Sequence, residues 1–206
     1  MIEISTSRSG HPILKIGDRY TASSFDPMSE GRTWAANVAA LVGDSEAVVI
    51  LGMGSGYHVS ALSESISNRI IVLDPDPEVI DLALGWHPSI KAEWVFSESN
   101  QIALTQIPSI QDILTGMYLI AHHGPSCQIR PDWSREMSSF LIGRDKMSFM
   151  LQLRMRPELL ALLNPEAISK IPDEPISIKT LQGLFLECAT DSRERRMWRC
   201  LEELVL

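Results

Sequence analysis

Gly52-Met53-Gly54-Ser55-Gly56-Tyr57-His58 is where residue type and spacing converge on a chemistry. The glycines follow an unbroken apolar run, Ala47-Val48-Val49-Ile50-Leu51, and open a helical pattern that continues to about Ser67. In such a place glycine lets the backbone turn tightly and lets another group approach it closely. The free N–H groups and positive dipole end of the following helix suit an anion or the polar edge of a ligand. A second apolar run, Ile70-Ile71-Val72-Leu73, ends in Asp74. That is roughly 20 residues beyond the first glycine, where a carboxylate reaches ribose hydroxyls in nucleotide-binding sheets. Pro75 and Asp76 continue the turn.

Three ligand classes separate on single residues. A phosphate-cradling P-loop requires Gly-Lys-Ser/Thr, and Gly56 is followed by Tyr57, so that class fails. The dinucleotide fingerprint G-x-G-x-x-G needs a glycine where Tyr57 stands, which weakens a pyrophosphate site. G-x-G-x-G with a downstream acid resembles the nucleoside loop of S-adenosylmethionine-dependent methyltransferases. Those enzymes usually carry a carboxylate two residues before the first glycine, and here that position is Ile50. The structural alternative is that the glycines only allow close strand-to-helix packing, with Asp74 capping the next helix.

His58 can meet a ligand, act as a base, or cap and pack at the helix start. His122 and His123 end another apolar run, Met117-Tyr118-Leu119-Ile120-Ala121, at the carboxyl edge where open α/β sheets bind ligands. Adjacent strand residues point to opposite faces, so the two cannot readily grip one metal. One of them, His122, is assigned to the cleft. The segment His122-His123-Gly124-Pro125-Ser126 lacks the D/N-P-P-Y-like pattern common in amine methyltransferases. A nucleophile elbow, G-x-S-x-G, would need Ser where Gly54 stands. The expected cofactor-binding set is therefore Gly52, Met53, Gly54, Ser55, Gly56, Tyr57, His58, Asp74, Pro75, Asp76 and His122. No catalytic residue or metal ligand is assigned.

These residues need elements to hold them. Ile2-Glu3-Ile4 and Pro12 to Ile16 read as a β-hairpin around the turn Ser7-Arg8-Ser9-Gly10, with Tyr20 to Ser24 as connector. Asp26 is the expected N-cap of a helix with Pro27 at its first position. That helix carries Trp34, Val38 and Leu41 on one face and stops at Gly43. The run at 47–51 suits a parallel strand covered on both faces. Pro75-Asp76-Pro77 opens a helix through Leu84 that Gly85 closes. Glu93 to Phe96 reads as a strand, Asn100 to Ile107 as a short helix, and 117–121 as a fourth strand. Strands alternating with helices imply βαβ crossovers. Beyond Pro125 the pattern is helical, with the methionines from Met137 to Met155 filling a core and Pro157 as a break. Two final helices are expected, Lys179 to about Ala189 and Ser192 to Val205. In the last, Arg193, Arg195, Arg196 and Arg199 interleave with Glu194, Glu202 and Glu203, the pattern of a solvated face.

The fold class is thus α/β: a Rossmann-like, mainly parallel sheet with an N-terminal β-hairpin and a C-terminal helical tail. The expected divisions are 1–45 for hairpin and first helix, 46–150 for the core, and 151–206 for the helical extension. The chain has 206 residues, enough for one sizeable core. A net charge of −8 disfavours nucleic acid, whose binding rests on neutralising phosphates. No apolar run is long enough to span a membrane, and the start Met1-Ile2-Glu3 has no signal-like region. Cys127, Cys188 and Cys200 are scattered, without disulfide or zinc spacing, which favours a reducing cytoplasm.

Four ordered blocks carry a more specific likeness: Ser7 to Leu14, Ser24-Phe25-Asp26-Pro27-Met28-Ser29-Glu30, Leu51 to His58, and Val72-Leu73-Asp74-Pro75-Asp76-Pro77-Glu78. Together they resemble the amino-terminal region of the motility-associated factor proteins, which glycosylate flagellin with nonulosonic acids. Phe25 stands where that family usually has Tyr, and Asp74 where it usually has Glu. The resemblance covers residues 5 to about 85, with weaker similarity to about 150, and implies a Rossmann-like module. The family's large glycosyltransferase-like region has no room in this chain, so sugar transfer is not carried over. The expected function is a stand-alone module that binds a nucleoside-containing ligand or serves in assembly. The alternative is a small methyltransferase using S-adenosylmethionine on an unidentified acceptor. A homodimer through the C-terminal helices is the expected partner arrangement.

Overall fold

The computed structural model describes residues 1–96, 107–143 and 146–155, together with Ser169 and Gly183. The chain forms two compact units, Met1–Met137 and Ser138–Leu206. The hairpin, the first helix and the whole parallel sheet fall in the first.

That unit opens with β1 (Ile2–Thr6) and β2 (Pro12–Ile16), antiparallel with Ile4 opposite Leu14. A third strand, β3 (Arg19–Tyr20), pairs back on β2 where a connector was expected. Its two residues are both exposed, so no apolar pattern announced it. The signal was instead the two-residue turn Gly17-Asp18, with Gly17 at φ 63°. Helix α1 (Pro27–Ala39) starts as expected, with Asp26 Oδ1 accepting from the Ser29 N–H at 3.0 Å. It ends at Ala39, short of Gly43, and this corrects the assignment of Leu41 to its buried face: Leu41 is 69% exposed.

The main sheet comprises β4 (Ala47–Leu51), β5 (Arg69–Asp74), β6 (Glu93–Phe96) and β7 (Tyr118–His122), all parallel, in the order β6-β5-β4-β7. This is a Rossmann-like sheet. Every residue of β4 is buried, as a central strand covered on both faces must be. Alternation divides the faces. Val48, Ile50, Ile70 and Val72 join one core with Ala35 and Val38 of α1, Val59 and Leu62 of α2 (Tyr57–Ser65), and Val79 and Ala83 of α3 (Pro77–Trp86). Val49, Leu51, Ile71 and Leu73 point the other way and are fully buried too.

Asp76 caps α3, which runs through Gly85 and ends at Trp86, so Gly85 does not close it. The helix expected at Asn100 to Ile107 lies almost wholly outside the described residues; α4 (Pro108–Thr115) follows it. After β7 come α5 (Gly124–Ile129), α6 (Pro131–Ile142) and α7 (Lys146–Met155). The helices expected at Lys179–Ala189 and Ser192–Val205, with Cys188, Cys200 and the proposed dimer face, lie outside the described residues. No helix among the described residues is long and apolar enough to cross a membrane.

β4 lies between β5 and β7, so the chain reverses its direction across the sheet at the carboxyl end of β4. Open α/β sheets take ligands at that switch point. The glycine loop leaves β4 there, and the histidine pair ends β7 beside it.

Candidate functional site

Gly52, Gly54 and Gly56 all adopt left-handed backbone, at φ 97°, 48° and 80°. Conformation alone would call for glycine, and space calls for it again. A Cβ on Gly52 would overlap that of Ser126 in α5, and one on Gly54 would lie 2.6 Å from Ser126 Oγ and 3.1 Å from the Thr21 carbonyl oxygen. At Gly56 it would lie 2.9 Å from His87 Cδ2 and 3.2 Å from Ala83 Cβ. The groups that approach this backbone are therefore the chain's own. Ser55, completely buried, looks away from the crevice toward the antiparallel sheet. Its Oγ accepts from the Leu14 N–H at 2.9 Å and donates to Thr21 Oγ1 at 2.7 Å, since the Thr21 hydroxyl goes on to the Leu14 carbonyl.

Asp74 does reach the loop. Its Oδ2 accepts from the Met53 N–H at 2.7 Å, and its Oδ1 from the Asp76 N–H at 3.0 Å. The carboxylate thus occupies, from within, the anion position that the loop offers. It is only 5% exposed, and burial pushes its pKa up to about 6, against the pull of the two N–H bonds. Asp76 caps α3 through the Glu78 N–H and pairs with Arg130 at 3.0 Å, which ties the end of α5 to the start of α3. What remains between Gly52, Gly54, Asp74, Ser126, Arg130 and Trp133 is a cavity of about 20 Å³. One water needs roughly 10–15 Å³ measured this way, and small-molecule sites roughly 300–1,000 Å³. Between the glycine loop and Asp74, as they are packed, the described residues leave room for about one water.

The histidines form a sealed layer beside this crevice. His58 and His123 stack with ring centroids 3.6 Å apart and planes 6° from parallel, and the Trp34 ring meets His58 edge-on at 4.9 Å. His58 Nε2–H donates to the Gly52 carbonyl at 3.0 Å, and His123 Nδ1 shares a hydrogen bond with Ser126 Oγ at 2.8 Å. Burial drives both pKa values down, His58 well below its ordinary value and His123 to about 3. Two rings whose pKa values burial holds well below the ordinary imidazole value are poorly matched to proton transfer near pH 7. They hold the loop. His122 alternates to the outside, as strand geometry requires, and its carbonyl accepts from Trp34 Nε1 at 3.1 Å.

Gly52, Met53, Gly54, Asp74 and Pro75 are thus gathered at one point, with Asp76 just beyond. Ser55 and Tyr57 turn toward the antiparallel sheet, the Tyr57 hydroxyl donating to the Pro12 carbonyl at 2.8 Å. His58 lies beneath the loop. Ser126, Thr21, Trp34, His87 and Arg130 complete the arrangement and were not anticipated. Only Ser126 left a trace, as the small residue where a methyltransferase-like motif would place something larger. Among the described residues, no group of three or more His, Cys, Asp or Glu is placed to hold a metal ion.

No protein-family model matches the chain, and no curated protein matches it. Among solved structures, one similar chain is the plantazolicin methyltransferase BamL, in complex with a triazolic desmethylPZN analog and SAH. It is 17% identical with a TM-score of 0.27, over 37% of this chain and 28% of that one. This chain therefore spans well under a third of that structure's length.

Proposed function

We propose that this chain is a Rossmann-like scaffold module, acting in assembly, whose nucleoside crevice is filled by its own residues. One observation carries the reading: Ser126 of α5 lies on Gly52 and Gly54 where a ligand would approach, while both Asp74 oxygens are engaged by main-chain N–H groups. The neutral His58–His123 stack supports it, since its bonds brace the same loop and the same serine. The likeness to the amino-terminal module of flagellin-modification proteins belongs to this reading as well. The ordered sequence blocks that carry it interlock here, through Tyr57 with Pro12 and through Met53 with Asp74.

Thermal unfolding with S-adenosylmethionine, S-adenosylhomocysteine, CMP and NAD at millimolar concentration tests the reading. No ligand is expected to raise the unfolding temperature. A saturable rise with S-adenosylhomocysteine that Asp74→Ala abolishes would overturn it in favour of the methyltransferase alternative.

That alternative has one observation in its favour, the placement of a carboxylate and a glycine loop together at the switch point of the sheet. Its cost is visible. A nucleoside would have to displace Ser126, breaking its bond to His123. Ser126→Gly removes the obstructing atoms, at about 1–2 kcal/mol for a lost hydrogen bond and a glycine inside a short helix. If the crevice is a nucleoside site that Ser126 merely blocks, this variant gains binding of S-adenosylhomocysteine that the parent lacks. On the scaffold reading it gains none.

A further inference from the structure

Helices α1 and α2 cross unusually closely, because Gly31 offers no side chain at the contact: a Cβ there would lie 2.8 Å from the Tyr57 carbonyl. To one side of the crossing lies an open groove of about 320 Å³, also bounded by the turn before β2 and the end of α3. It is large enough for a molecule the size of an amino acid, and it is separate from the glycine-loop crevice.

Its lining, which includes His11, Ser60 and His87, combines apolar and charged groups. Met28 of α1 and Trp86 at the end of α3 supply partly exposed apolar surface. Arg32, one turn beyond Met28 on the same face of α1, and Glu64, two turns beyond Tyr57 on α2, bring opposite charges to the lining. Both are exposed, and neither belongs to any ion pair among the described residues, with each other or with a third group. Some other charges of this unit are paired, Arg69 with Glu93 and Asp112 and Arg130 with Asp76. An anion alone would meet Glu64, and a cation alone would meet Arg32. A molecule carrying both charges satisfies the two together.

We propose that this groove binds a small zwitterion of the amino-acid class with an apolar side chain, its carboxylate on Arg32, its ammonium on Glu64, and its side chain against Met28 and Trp86. Exposed ion pairs contribute up to about 1 kcal/mol each, so each charge changes the affinity by up to about fivefold.

The test is an NMR titration of the full chain, following the Trp86 indole N–H, assigned through Trp86→Phe. The titrants are L-phenylalanine, 3-phenylpropanoate and phenethylamine, which share a ring and side-chain carbon and differ in the charged groups they carry. L-Phenylalanine is expected to saturate the signal at several-fold lower concentration than either single-charge analogue. Arg32→Ala is expected to weaken it to the level of phenethylamine, and Glu64→Gln to that of 3-phenylpropanoate. Absence of a saturable shift overturns the proposal. So does an analogue that binds as tightly as the zwitterion, or a titration unchanged in both variants. Both substitutions are at exposed positions, and unfolding curves recorded alongside verify that each variant is folded.

Discussion

Two concave regions of the same unit contrast. At the carboxyl end of β4, polar groups are numerous and all are occupied: Asp74 by two N–H groups, His58 by a carbonyl, Ser126 by His123. The space left over is about 20 Å³. Across the α1–α2 crossing the space is about 320 Å³, and Arg32 and Glu64 make no ion pair among the described residues. A recognisable loop is thus no measure of an available site. A buried polar group left without a partner costs free energy, and packing satisfies it from within the chain. Exposed charges are solvated, carry no such penalty, and are free to meet a ligand.

Gly52→Ala should disturb this contrast most. The new Cβ would overlap Ser126, and the backbone at φ 97° disfavours any side chain. Strain and overpacking together are expected to cost about 3–5 kcal/mol, read as a drop in the urea midpoint. A loss below 1 kcal/mol would mean that α5 yields easily, and the crevice would then count as openable.

The next effect is in pH. His58 and His123 have pKa values lowered by the fold, so below about 6.5 the unfolded chain takes up protons that the native rings refuse. Stability therefore falls on acidification, by about 1.4 kcal/mol per pH unit for each ring. Asp74 acts in the opposite sense. Its pKa is raised from 3.8 to about 6, so between those values the native state binds a proton that the unfolded chain does not. Its contribution improves as the pH falls through that window, offsetting about 1.4 kcal/mol per unit. Asp74→Asn removes this compensation. Between pH 6 and pH 4 its stability should drop more steeply than the parent's by that amount, in urea unfolding at each pH. Parallel curves would show that Asp74 does not titrate in this window.

Much of this fold was legible in the chain, for physical reasons that differ by element. The fully apolar run of β4 suits a covered parallel strand, and Asp26-Pro27 and Asp76-Pro77 spell helix starts in cap and first-position chemistry. The two-residue β3 buries nothing, and the end of α1 has no glycine to mark it, so neither is legible in the sequence. The site was legible in part. Glycine spacing reports that something approaches the backbone closely, and it is silent on whether that is a ligand or Ser126. That answer depends on a contact between residues more than 70 positions apart in the chain. The His58–His123 stack has the same origin, with two histidines brought together by adjacent turns at the switch point.

The smallest expected effect sharpens the comparison from its other side. Arg32→Ala and Glu64→Gln each remove an exposed charge without an ion-pair partner among the described residues, and should shift stability by no more than about 0.5 kcal/mol. Urea midpoints within experimental overlap of the parent would show that these groups contribute nothing to holding α1 against α2. Their cost would then be confined to ligand binding, as expected of a site and not of a brace. A loss above 1 kcal/mol in either variant would make the groove a second self-satisfied region, akin to the crevice at Gly52. The crossing at Gly31 argues against that outcome, because backbone contact with Tyr57 already fixes the two helices without any help from charge.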